Sequence, residues 1–109
     1  MEISFKGKKL RELCEKQAVA VKKLGAIGAR KLRARLSDLR AVTCVTELIA
    51  GNPHPLKGER LGQFALDLDG GWRLVFAPKN EPVPRRDDAS IDWSAVNIVC
   101  IEYIGDYHE

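Results

Sequence analysis

No apolar run in the 109 residues approaches the roughly 20 needed for a membrane-spanning helix, so the sequence predicts no membrane protein. Cysteine is scarce and odd in number. Cys14, Cys44 and Cys100 are far apart, form no Cys-x-x-Cys zinc pair and suggest no disulfide framework. They read as small buried apolar residues in a reducing compartment, the cytoplasm. Met1 to Phe5 lacks the basic start and apolar stretch of a secretion signal. There are only two histidines, no Ser or Cys nucleophile stands beside a base, and the His/Cys/carboxylate spacing of a metal site is missing. No metal and no cofactor is therefore expected. Internal repeats and low-complexity tracts are absent as well.

What remains is the balance of an ordinary globular protein, 45% hydrophobic and 30% charged, long enough for one domain over 1–109. Charge is unevenly divided. Residues 1–40 carry 12 Lys/Arg and 4 Asp/Glu, a net of +8; residues 41–109 carry 6 and 11, a net of −5. A contiguous basic segment is an electrostatic footprint for a phosphate backbone or an acidic protein, or else a solvated helix face.

Met1 to Phe5 alternates weakly, as a short strand does. Leu10, Leu13, Cys14, Gln17, Val21 and Leu24 follow helical spacing, and Ala29, Leu32, Leu36 and Leu39 repeat it after a break at Gly25 to Gly28. Two basic helices joined by that break should form an antiparallel hairpin. A helical turn from about Val45 to Ala50 precedes Asn52-Pro53-His54-Pro55, a rigid loop that excludes helix and central strand. Phe64, Leu66 and Leu68 alternate with polar or small residues, Asp69-Gly70-Gly71 signals a hairpin, and Trp72 to Phe76 returns as its partner. Pro78 to Asp92 is a long polar loop. Val96 to Ile104, apolar on both faces, predicts a central strand. The fold class is α+β: a helical hairpin packed on a small, mainly antiparallel sheet.

His54, Lys57, Glu59, Arg60, Arg73, Asp106, Tyr107 and His108 offer imidazoles, a phenol, carboxylates and cations. Arg73 lies between apolar strand neighbours and must reach a cleft or a partner. Without a metal, this set suits phosphodiester cleavage in RNA. There the substrate's 2′-OH is the nucleophile, and the protein supplies base, acid and cations.

Pro53-His54-Pro55-Leu56-Lys57-Gly58-Glu59-Arg60-Leu61-Gly62-Gln63, then Trp72-Arg73-Leu74-Val75-Phe76, then Tyr103-Ile104-Gly105-Asp106-Tyr107-His108, resembles the HigB-type plasmid-maintenance killer toxins of the RelE/ParE superfamily. The resemblance covers nearly the whole chain. It implies a small α+β toxin that cleaves translated messenger RNA in the ribosomal A site, made beside a helix-turn-helix antitoxin of the HigA type. It places His54, Arg73, Asp106, Tyr107 and His108 in the catalytic set and gives Lys57 and Arg60 a role in binding RNA. Either His54 or His108 serves as base or acid; Asp106 orients an imidazole or caps the strand. Lys22, Lys23, Arg30 and Arg33 of the basic hairpin would bind ribosomal RNA. Two other readings remain: a ParE-like toxin that only binds DNA gyrase, and an inactive partner of the antitoxin. The 78–92 loop, longer than in compact members, either flanks the cleft or makes a passive excursion, and the passive reading is preferred.

Overall fold

The computed structural model describes residues 1–107. Strand β1 (Glu2–Phe5) leads into helix α1 (Lys8–Glu15), whose apolar stripe buries Leu13. Helix α2 (Gln17–Ala41) follows and buries Ala20, Gly28, Ala29, Leu32, Leu36 and Leu39. The expected hairpin is present: Leu13 and Ala20 meet Ala29 and Leu32 around a shared cavity. Its breaks differ from the expected ones. Lys16 is extended (φ −112°, ψ 113°) and closes α1 on the Glu12 carbonyl while accepting from the Ala20 N–H. No glycine or proline marks that break. At the second break only Gly25 leaves the helix, with a φ of 78° that glycine reaches without cost. Gly28 stays helical, and its lack of a side chain serves packing: a Cβ there would come within 2.8 Å of the Leu24 side chain.

The rest of the chain is mostly sheet. Strands β2 (His54–Pro55), β3 (Phe64–Asp67), β4 (Trp72–Pro78) and β5 (Ile98–Asp106) join β1 in the order β1-β5-β4-β3-β2. β1 runs parallel to β5 and every other pair is antiparallel. The Asp-Gly-Gly turn links β3 to β4, with the Leu68 and Trp72 N–H groups donating to Trp72 and Asp69 carbonyls and Gly70 at φ 60°. β5 has neighbours on both sides, as its apolar residues require.

The β4–β5 pairing contains a bulge. Val75 pairs with Tyr103 but Phe76 pairs with Ile101, so Glu102 is an extra residue. The alternation along β5 therefore changes phase. Val99, Ile101 and Ile104 all face the helices with Phe64, Leu66, Leu74 and Phe76, although their spacing is 2 and then 3. The fully buried side chains of this layer include Phe76, Leu32, Leu36, Leu39, Leu66, Leu74 and Ile101.

β2 closes the other edge. The Leu56 N–H donates inward to the Gln63 carbonyl, so by strand alternation Pro53 and Pro55 occupy the outward positions, where neither has an N–H to offer. The 78–92 loop is ordered by its own contacts. The Asn80 side chain bonds Asn97 and the Ile98 N–H, and Arg85 bridges to Ile91.

Phe76→Ala should lower stability by about 3–5 kcal/mol, because its ring is fully enclosed. Ile49→Ala, at a side chain 89% exposed, should change it by less than about 0.5 kcal/mol. Urea denaturation midpoints of the two variants measure the contrast.

Candidate functional site

With the helices on one side, the far face of the sheet carries the polar set. Directly paired residues share a face. His54 pairs with Ala65, Ala65 with Val75, and Val75 with Tyr103, so one row crosses four strands. The next row is Asp67, Arg73 and Gly105. From strand spacing and rise, His54 and Arg73 stand two strands and one row apart, about 12 Å between Cα atoms. Ala65 and Val75, both fully buried, form the floor between them.

Each polar side chain is held. His54 Nδ1 lies 2.7 Å from the Asn52 carbonyl. A carbonyl only accepts, so Nδ1 carries the hydrogen and the neutral ring presents its lone pair at Nε2. Asn52 provides that carbonyl from a left-handed conformation (φ 48°), which asparagine tolerates better than most residues. Arg73 Nε lies 2.8 Å from Asp67 Oδ1, and Nη1 donates to the Trp72 carbonyl. The half-buried arginine is thereby paired while keeping a planar fork near the surface. Arg60 comes from a 3-10 turn (Gly58–Arg60); its guanidinium stands 4.5 Å from the Tyr103 ring centroid and 4.7 Å from that of Tyr107. The two tyrosine rings meet edge to face at 6.1 Å, and Arg60 also donates to Gln63. Tyr103 lies across Gly105, where a Cβ would collide with its ring and hydroxyl.

His54, Arg73, Arg60 and Tyr107 thus share one face, with Arg60 and Tyr107 in contact and His54 and Arg73 apart from each other. Asp106 does not join them. It pairs with Trp72, whose indole packs on the helix-side core, and its carboxylate lies against Gly71 in a cavity of about 340 Å³ that Lys23 and Leu24 also line. His108 lies outside the described residues. Lys57 is exposed next to Leu56, which packs under the tyrosines. Lys22, Lys23, Arg30 and Arg33 are exposed on α2, in the other layer. Asn52, Asp67, Tyr103 and Gly105 were not singled out from sequence. Asp67 had a usable signal, since a symmetric count outward from the Asp-Gly-Gly turn pairs it with Arg73.

Two of the three thiols, Cys14 and Cys100, are poor nucleophiles. Burial pushes Cys14 up to about 12, and Arg40 only partly offsets it; burial raises Cys100 as well. Among the described residues, no three of His, Cys, Asp and Glu gather in a metal-binding group. No helix among them is long and apolar enough to cross a membrane. The face can move a proton at one imidazole nitrogen, neutralise an anion at a guanidinium, and hold a flat group against aromatic rings.

No protein-family model matches the chain, and no curated protein sequence does. Solved structures do match over its full length. A YoeB/ParE toxin from Agrobacterium tumefaciens is similar with a TM-score of 0.62 at 12% identity, covering 99% of this chain and 100% of that one. A YoeB–YefM complex and a YoeB dimer from Staphylococcus aureus give TM-scores of 0.59 and 0.57 at 15% and 16% identity, each covering 100% of this chain and 98% of the other. The chain has the fold of YoeB/ParE-type toxins, and the expected α+β architecture, a helical hairpin on a mainly antiparallel sheet, is present.

Gly105→Ala should displace the Tyr103 ring and cost about 1–3 kcal/mol, a typical overpacking penalty. In a Tyr103→Ser background the same substitution should cost much less. A double-mutant cycle from chemical denaturation gives the coupling; additive costs would show that the two residues do not press on each other.

Proposed function

We propose that this protein is the toxin of a toxin–antitoxin pair, a HigB-type endoribonuclease that cuts translated messenger RNA in the ribosomal A site. The observation that carries the reading is the fixed imidazole and the fixed guanidinium on one sheet face, with the Arg60–tyrosine cluster beside them.

In this reading the 2′-oxygen attacks the adjacent phosphorus while a base takes its proton. The bond from phosphorus to the 5′-oxygen breaks as an acid protonates that leaving oxygen. The products are a 2′,3′-cyclic phosphate and a 5′-hydroxyl. His54 performs one of the two transfers through Nε2, and His108 is proposed for the other. Arg73 takes the charge that grows on the phosphoryl oxygens. Tyr107, Arg60 and Lys57 hold the nucleotide and its phosphates. Asp106, the last residue of β5, lies on the helix side of the sheet beside Gly71, which fits the strand-capping role better than orienting an imidazole. The solved complex of YoeB with YefM supports a protein antitoxin as partner, here of the helix-turn-helix HigA type. Ribosomes place the activity in the cytoplasm.

His54→Ala and Arg73→Ala should each reduce cleavage of ribosome-bound message about a hundredfold, close to 3 kcal/mol of transition-state stabilisation. Melting curves must show both variants folded, since Arg73→Ala leaves Asp67 unpaired. Products with 3′-hydroxyl ends would exclude attack by the 2′-oxygen. Toxicity undiminished in both variants would favour a gyrase-binding toxin instead.

Replacing Lys22, Lys23, Arg30 and Arg33 together by Ala should weaken ribosome association and flatten its salt dependence, because each neutralised phosphate releases a counterion. Single replacements should change little. Co-sedimentation with ribosomes at two salt concentrations measures this. Unchanged sedimentation with lost antitoxin binding would assign the basic surface to the antitoxin.

A further inference from the structure

The 78–92 loop builds a groove. Its ordered turn faces the 55–63 segment across a cavity of about 790 Å³, the size of a site for a few side chains. Leu61, Ile91 and Trp93 supply apolar lining, and Leu61 is 78% exposed with nothing over it. Lys57, Arg85 and Arg86 supply positive charge. Asp88, the carboxylate on the lining, is exposed and accepts from the Ser90 N–H and hydroxyl within its own turn, which hold it below the usual carboxylate range, so three cations face one anion.

The groove is already shaped. Arg85 Nη1 donates to the Ala89 carbonyl at 2.9 Å, the Arg86 N–H to the Ser90 carbonyl at 2.8 Å, and the Ile91 methyl closes on Gly62. An occupant would not have to order this wall, which lowers the cost of binding.

We infer that this groove takes a peptide segment with apolar side chains flanked by acidic ones, and, resting on the toxin–antitoxin reading, that the segment belongs to the antitoxin. Two observations favour peptide over RNA. The lining is largely apolar, and the Arg85 guanidinium is bound across its own turn, so it is not free to stack on a base. The peptide is held by side chains rather than by strand addition, because Pro53 and Pro55 deny hydrogen-bond donors at the neighbouring edge. Pro55 and Leu56 adjoin His54, and Gln63 of the groove binds Arg60 of the site. An occupied groove therefore presses on one wall of the catalytic face.

The test follows the Trp93 indole N–H and the Leu61 methyls by NMR in the full chain. The probes are a synthetic twelve-residue peptide with two leucines between glutamates, the same peptide with lysines for glutamates, and a six-residue oligouridine. The acidic peptide should shift both signals, and the Arg85→Glu/Arg86→Glu variant and the Leu61→Ser variant should each weaken it at least about tenfold. No shift at about 1 mM acidic peptide, equal shifts from the lysine peptide, or shifts from oligouridine alone would each overturn the inference. Ribosome-dependent cleavage should survive in Arg85→Glu/Arg86→Glu. If the unaltered protein binds the peptide but never cleaves, the nuclease reading fails and the groove stands.

Discussion

The phase change at Glu102 is the constraint on which the rest of the molecule depends. β5 must feed two layers: a helix-side core that accepts Val99, Ile101 and Ile104, and a far face that accepts Tyr103. Strict alternation cannot do both, because Ile101 and Tyr103 would share a face. One extra residue opposite the Val75–Phe76 step resolves this. Before it, the odd-numbered residues are in the core; after it, the even-numbered Ile104 is. Tyr103 is thereby turned outward to meet Arg60, and Asp106 is turned toward Trp72 and the helices.

The far face is assembled by pairing charges and dipoles before any ligand arrives. An arginine among apolar strand neighbours would be costly alone. Asp67, directly across the hairpin, makes it tolerable and sets its direction. Arg60 is held by two rings, and among the described residues no carboxylate pairs with it. The two cations differ in consequence: any anion reaching Arg73 would share it with Asp67, whereas Arg60 offers its charge with an aromatic backing.

Much of this was legible in the sequence. The helical stripes, the Asp-Gly-Gly turn and the two-sided last strand each carry a local signal that agrees with the tertiary structure, and so does Arg73, whose need for a partner is met. The failures have a common cause in non-local geometry. The break at Lys16 has no special residue, and the side on which Asp106 falls is decided by a bulge that depends on how β4 and β5 fit. A motif that lists Asp106 beside Tyr107 does not reveal that their side chains part across the sheet. Tyr103 was passed over because its place in the row with His54 exists only after four strands are paired. For the loop after Pro78 the sequence leaves two readings, a flank of the cleft and the preferred passive excursion; its hydrogen bonds order it as one wall of a groove.

The hydrogen bond from His54 Nδ1 to the Asn52 carbonyl bears on timing. It can be made by the neutral ring and by the imidazolium alike, since Nδ1 carries a hydrogen in both. Gaining or losing a proton therefore alters only Nε2, and the ring has no cause to flip or swing between the two states. A side chain with that property keeps one orientation in both forms, so the polar face keeps its shape whichever form the ring takes.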